Sequence, residues 1–142
     1  MGYYVKEVYF IENRVDELAV ITQTKALCNI VILCTAKSPK KFRFTLVSKL
    51  QTYSLNALEN LFRANEVYIK GNLKNGLSLR MDFQHKALTE LNLLAFITQL
   101  AYEQQCILKK DYLRITHQIF GCKNLLGGWI RSEHKKISSL KY

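Results

Sequence analysis

Only one proline, Pro39, and six glycines occur in 142 residues, and no stretch is rich in Ser, Gly or Pro. A chain so poor in breakers cannot supply the frequent turns of a β-sandwich, and one without low-complexity tracts does not read as a disordered tail. No apolar run reaches the roughly 20 residues of a membrane span. The start, MGYYVKEVYFIENR, lacks an apolar run of signal-peptide length, and Lys6 stands where a myristoylation signal would want Ser or Thr. No amphipathic segment pairs a basic face with the exposed Trp, Phe and Leu of a membrane-surface helix. A cytoplasmic protein without a membrane partner is the expectation. The four cysteines form no CxxC pair and have no zinc-ligand spacing, so buried free thiols are expected and no metal is. HExxH and Gly-rich phosphate-loop motifs are also missing, and His85, His117 and His134 lie in no metal or triad spacing. Asp111 and His117, six apart, cannot meet on one helix face. The reading is a non-enzymatic protein without a cofactor.

Acidic residues are scarce where cations are plentiful. The net charge is +10, yet residues 1–20 hold two cations, Lys6 and Arg14, against four acids, Glu7, Glu12, Asp16 and Glu17. The whole cationic excess therefore lies after residue 20. Such a balance speaks of a polyanionic partner or of solubility, not of fold, and nucleic acid is the partner it favours. The stretch KSPKKFRFTL, residues 37–46, concentrates the charge: Lys37, Lys40, Lys41 and Arg43 stand without an acid and are interleaved with Phe42 and Phe44. Both rings are expected to anchor the start of the next helix, so that Lys40, Lys41 and Arg43 are displayed from a fixed backbone that loses little freedom on meeting phosphates.

What remains is leucine-rich and periodic, and it predicts four helices. The first covers 16–36, with Asp16 and Glu17 at the positive end of its dipole, and stops before Ser38 and Pro39. Residues 30–34 of that helix, IVILC, are apolar on every side, which calls for cover from a long neighbour or a second subunit. The second covers 45–70, with Leu46, Leu50, Tyr53, Ala57, Leu61, Ala64 and Tyr68 inward and local pairs of Glu59 with Arg63 and Glu66 with Lys70 outside. Residues 71–76, GNLKNG, are turn chemistry. A third helix over 77–103 turns Phe83, Ala87, Leu91, Leu94, Ile97 and Ala101 inward. The fourth, over 111–135, carries Tyr112, Ile115, Ile119, Cys122, Leu126 and Trp129 at spacings of three and four.

Opposite that seam, Lys110, Arg114, His117, Gly121, Asn124, Gly128, Arg131 and Lys135 fall within an arc of about 100° that holds no acid. Gly121 and Gly128 leave a shallow strip there, suited to the close approach of another backbone. Short connections between four helices predict an all-α, antiparallel up-and-down four-helix bundle. Residues 1–142 make one domain, with 1–14 a flexible or peripheral extension and 136–142 a basic tail.

SPKKFRFTL at 38–46, ANE at 64–66 and LLGGWIRS at 125–132 together resemble the Avd family, the accessory variability determinants of diversity-generating retroelements. That family lies within a group of bacterial four-helix-bundle proteins that includes those encoded in ribosomal RNA intervening sequences. The resemblance spans roughly 14–134, and its most specific parts are 39–46 and 125–130. It implies a homo-oligomer of five subunits with a basic surface that binds nucleic acid and associates with a reverse transcriptase, without enzymatic activity of its own. Lys40, Lys41 and Arg43 match the basic segment, and Arg131 the cation after the Trp-Ile pair.

Both acid-free clusters, Lys40, Lys41 and Arg43 with Lys110, Arg114, Arg131 and Lys135, are expected to bind RNA or RNA–DNA hybrid through phosphates. No aromatic platform stands out, so base readout is not expected. The alternative is an interaction module whose basic face docks an acidic protein.

Overall fold

The computed structural model describes the backbone of residues 2–67 and 73–140 and the side chains of 19–67 and 75–139. It contains α1 (Gly2–Thr35), α2 (Ser48–Glu66), α3 (Leu73–Glu103) and α4 (Lys109–Leu140), and no strand among the described residues. A 3-10 turn (Lys40–Phe42) and a π-helical turn (Arg43–Val47) lead into α2. Each helix touches the next in the chain, and α1 also touches α4.

Several boundaries differ from the periodic reading. Helix α1 begins at Gly2 and runs through Asp16 and Glu17, so these acids do not stand at its positive end, and residues 2–14 belong to the helix. α2 is shorter than expected; Tyr68 and Lys70, with the pair Glu66 and Lys70, lie outside the described residues, as do Gly71 and Asn72. Asn75 and Gly76, expected in a turn, are in the first turns of α3. Weak helix formers cost little there, because the first N–H groups have no intrahelical partner to lose. α4 continues through residues 136–140.

The apolar stripes meet in a single core. Val20, Leu27 and Val31 of α1, Leu50, Ala57, Leu61 and Ala64 of α2, Ala87, Leu91 and Leu94 of α3, and Ile115, Ile119, Cys122, Leu126 and Trp129 of α4 are all buried in it. Steps of three and four residues keep each set on one face, and the apolar area they remove from water is the main stabilising term. Within residues 30–34, Val31 and Cys34 face the core and Ile30 leans on it, while Ile32 and Leu33 remain 48% and 64% exposed. Among the described residues nothing covers those two.

Polar bonds fix how the helices meet. Gln51 Nε2 donates to Thr35 Oγ1 at 3.2 Å, and the Cys28 thiol to the Ser54 carbonyl at 3.2 Å. Gln118 Nε2 donates to the Gln23 carbonyl at 2.9 Å. α3 ends in a Schellman turn: Cys106 N–H bonds the Ala101 carbonyl at 2.8 Å and Gln105 N–H the Tyr102 carbonyl at 3.0 Å. The residue in the left-handed position of that cap is Gln105, with φ 62°, where glycine is usual.

At the opposite end, Arg80 of α3 joins three helices. Its Nε donates to the Ala64 carbonyl at 3.1 Å and its Nη2 to the Val67 carbonyl at 3.2 Å, satisfying the end of α2. Nη1 meets Glu133 Oε1 of α4 at 3.2 Å, an oxygen that also accepts from Trp129 Nε1 at 3.2 Å. The Glu133 side chain is fully buried, and Lys136 Nζ stands 3.6 Å from the same oxygen. Removing Arg80 leaves the buried Glu133 carboxylate with only the more distant Lys136 and the Trp129 N–H among the described partners. Replacing Arg80 by Leu is therefore expected to cost about 3–5 kcal/mol, read as a fall in urea midpoint; a loss below about 1 kcal/mol would show that the pair holds nothing together.

Candidate nucleic-acid interface

The connection from α1 to α2 is short and ordered. After Thr35 the chain makes two turn bonds, Ala36 N–H to the Leu33 carbonyl at 3.3 Å and Ser38 N–H to the Thr35 carbonyl at 3.1 Å. Pro39 is extended (φ −55°, ψ 141°), as its ring and its missing N–H favour at a helix start. Phe42 N–H then closes on the Pro39 carbonyl at 3.0 Å, and the π turn follows. Phe42, Leu46 and Val47 lean on the core. Lys40, Lys41 and Arg43 are exposed, held on helical backbone rather than on a loop.

The expectation for Phe44 is overturned. Its side chain is 86% exposed and anchors nothing; Leu46 and Val47 take that role beside Phe42. Lys41 Nζ lies 5.0 Å from the centroid of the Phe42 ring, a cation over an aromatic face.

The α3–α4 connection sits against this segment. Buried Cys106 lies beside Ser38, and buried Cys34 is within reach of Asp111, Arg114 and Lys110. Lys110 and Arg114 therefore share one end of the molecule with Lys40, Lys41 and Arg43. Arg131 and Lys135 do not: at 1.5 Å per residue they lie about 25–37 Å further along α4, flanking the buried Glu133. All seven cations are exposed, as is His117 between them. Among the described residues no carboxylate is within ion-pair distance of any of the seven, whereas Arg63 is held by Glu59 at 2.6 Å.

The two glycines of that face differ. A Cβ at Gly121 would meet nothing within 4 Å, while at Gly128 it would meet the Arg131 guanidinium at 3.8 Å, and at neighbouring Gly127 at 3.3 Å. Among the described residues no other helix comes within 4 Å of a Cβ at either position. The space at Gly127 and Gly128 is occupied by Arg131 folding back along its own helix.

Some of the arrangement carried no sequence signal. His85 and His134, far apart in the chain, bring their rings to 6.4 Å edge to face. His85 also borders an open, shallow groove with Asn60, Asp82, Lys86, Thr89 and Glu90, without the enclosing apolar walls of a small-molecule site. Tyr102 and Tyr112 stack at 5.0 Å beside the α3–α4 turn. The pairing of buried Arg80 with Glu133, 53 residues further along the chain, had no local signal either. No helix among the described residues is long and apolar enough to cross a membrane. No protein-family model and no curated protein matches the chain.

All four thiols are buried and unpaired. Burial pushes each of them upward, and Cys34, which also faces the Asp111 carboxylate, is pushed up to about 11. A thiol kept neutral by the fold ionises first in the unfolded chain, so its contribution is intact below about pH 8.5 and is lost as pH rises through the folded value. The urea midpoint is thus expected to drop between about pH 8 and pH 11, and less so in Cys34→Ala. An identical drop in the variant would rule out Cys34 as a source.

Proposed function

We propose that this chain is a non-enzymatic, nucleic-acid-binding accessory subunit of a retroelement reverse transcriptase, acting in the cytoplasm during diversity-generating retroelement cDNA synthesis. RNA or RNA–DNA hybrid is held through its phosphate backbone. The observation that carries the binding is the end surface: Lys40, Lys41, Arg43, Lys110 and Arg114 are exposed from helical backbone, with no carboxylate in ion-pair distance. Cations that have no carboxylate partner keep their attraction for phosphates, and a fixed backbone limits the freedom lost on binding. Arg131 and Lys135 extend the same acid-free face of α4 as a second contact region. The polymerase partner rests on the Avd-like residues at 39–46 and 125–130.

The helices are proposed to run alternately up and down as an antiparallel bundle. In support, Cys28 meets Ser54 and Thr35 meets Gln51, while Tyr102 meets Tyr112 and Arg80 meets Glu133. Assembly into a homo-oligomer, a pentamer by the same resemblance, would cover Ile32 and Leu33, which stand exposed in an otherwise apolar run.

Titrating labelled RNA with salt tests the reading. Affinity is expected to fall steeply, with a log–log slope of about −0.7 to −0.9 per phosphate contact, shallower by about two to three in the Lys40, Lys41 and Arg43 triple alanine variant. Arg114→Glu with Arg131→Glu weakens binding to unrelated sequences alike, and light scattering of the same wild-type sample gives a mass above the monomer. Failure to bind any RNA or hybrid at low salt would overturn the proposal, and capture of an acidic protein by the same residues would replace it with an interaction module.

A further inference from the structure

A phenyl ring left 86% in water, the most exposed of the large apolar side chains among the described residues, needs an explanation. Phe44 stands in the π turn Arg43–Val47, next to Arg43 and close in sequence to Lys40 and Lys41. The residues on either side of it, Phe42, Leu46 and Val47, are held against the core, so the ring is presented from a fixed backbone and not from a loose loop. Its carrier is therefore built for display. An aromatic face among cations without carboxylate partners matches one class of ligand closely: a polyanion that also offers flat apolar surfaces. Unpaired nucleotides fit that description, since each base can stack on a ring while its phosphate meets a cation. A duplex does not, because its base faces are already covered by one another. A second copy of this end would bring the same acid-free cations together and be repelled.

Resting on the nucleic-acid reading proposed above, we infer that Phe44 is a stacking platform for an unpaired base, and that the end surface of Lys40, Lys41, Arg43 and Phe44 is selective for single-stranded over double-stranded nucleic acid. The cations supply attraction without sequence preference; the ring supplies the discrimination between strand states. Tyr102, exposed and stacked on Tyr112 beside the neighbouring connection, extends the aromatic content of the same end.

Fluorescence anisotropy with a labelled single-stranded oligonucleotide and its blunt duplex, for wild type, Phe44→Ala and Phe44→Trp, decides the matter. Removing the ring is expected to weaken single-strand binding about 5- to 150-fold, the range of one lost base stack, and to leave duplex binding within about twofold. Phe44→Trp should keep the single-strand affinity, and its emission should be quenched by the single strand more than by the duplex. Equal losses on both ligands, or no loss on either, would overturn the stacking role while phosphate binding stands. Wild type binding neither ligand would overturn both readings. A Phe44→Ala protein whose oligomeric mass falls, or which loses only an acidic protein partner, would assign the ring to a protein contact and overturn the inference.

Discussion

The chain between α1 and α2 has a dozen residues in which to end one helix, start the next and return its apolar side chains to the core, and the character of the basic end follows from how it does so. Pro39 forbids continuation of α1, and its extended backbone starts the return. Phe42, Leu46 and Val47 then have to reach the core from a helix that is not yet α. A π turn closes over about one residue more than an α turn, so residues four and five apart come to one side and the residue midway between them is driven outward. Phe44 is that residue. Lys40, Lys41 and Arg43 share its side because the inner side is taken. The exposure of the ring and the rigidity of the cations are thus two consequences of one packing requirement.

The α3–α4 connection meets this segment through small buried contacts, Cys106 beside Ser38 and Cys34 near Asp111. These contacts bring the first turns of α4, and with them Lys110 and Arg114, to the same end. The far end is held by different chemistry. There, Arg80 closes the carbonyls of α2 and pairs with a carboxylate of α4 inside the protein.

Much of the fold was legible from spacing alone. The stripe from Ile115 to Trp129 is buried residue by residue as its spacing predicts, as are Leu50, Ala57, Leu61 and Ala64. Such positions are decided by the 3.6-residue period, which needs no knowledge of the neighbours. The candidate site was legible in its charges, since acids were already missing from residues 37–46, but not in its aromatics. Phe42 and Phe44 look alike in sequence, and which of two rings two residues apart faces the core depends on the helical turn that carries them, since both cannot. Arg80 and Glu133 escaped notice for another reason: a buried ion pair is a tertiary fact with no local signature. The start at Leu73 is hidden because weak formers in a first turn resemble breakers, and the start at Gly2 because Asp16 and Glu17 imitate the acids of a helix N-terminus.

The central claim is that nucleic acid engages the end built from the α1–α2 connection and the start of α4 first, with the far end of α4 only a second contact region. Photo-crosslinking of the full chain to a uridine-rich RNA, with the modified peptides located by mass spectrometry, tests it most directly. Adducts within residues 37–46 and 109–114 are the predicted result. Adducts confined to residues 131–135, with 37–46 untouched, would contradict it.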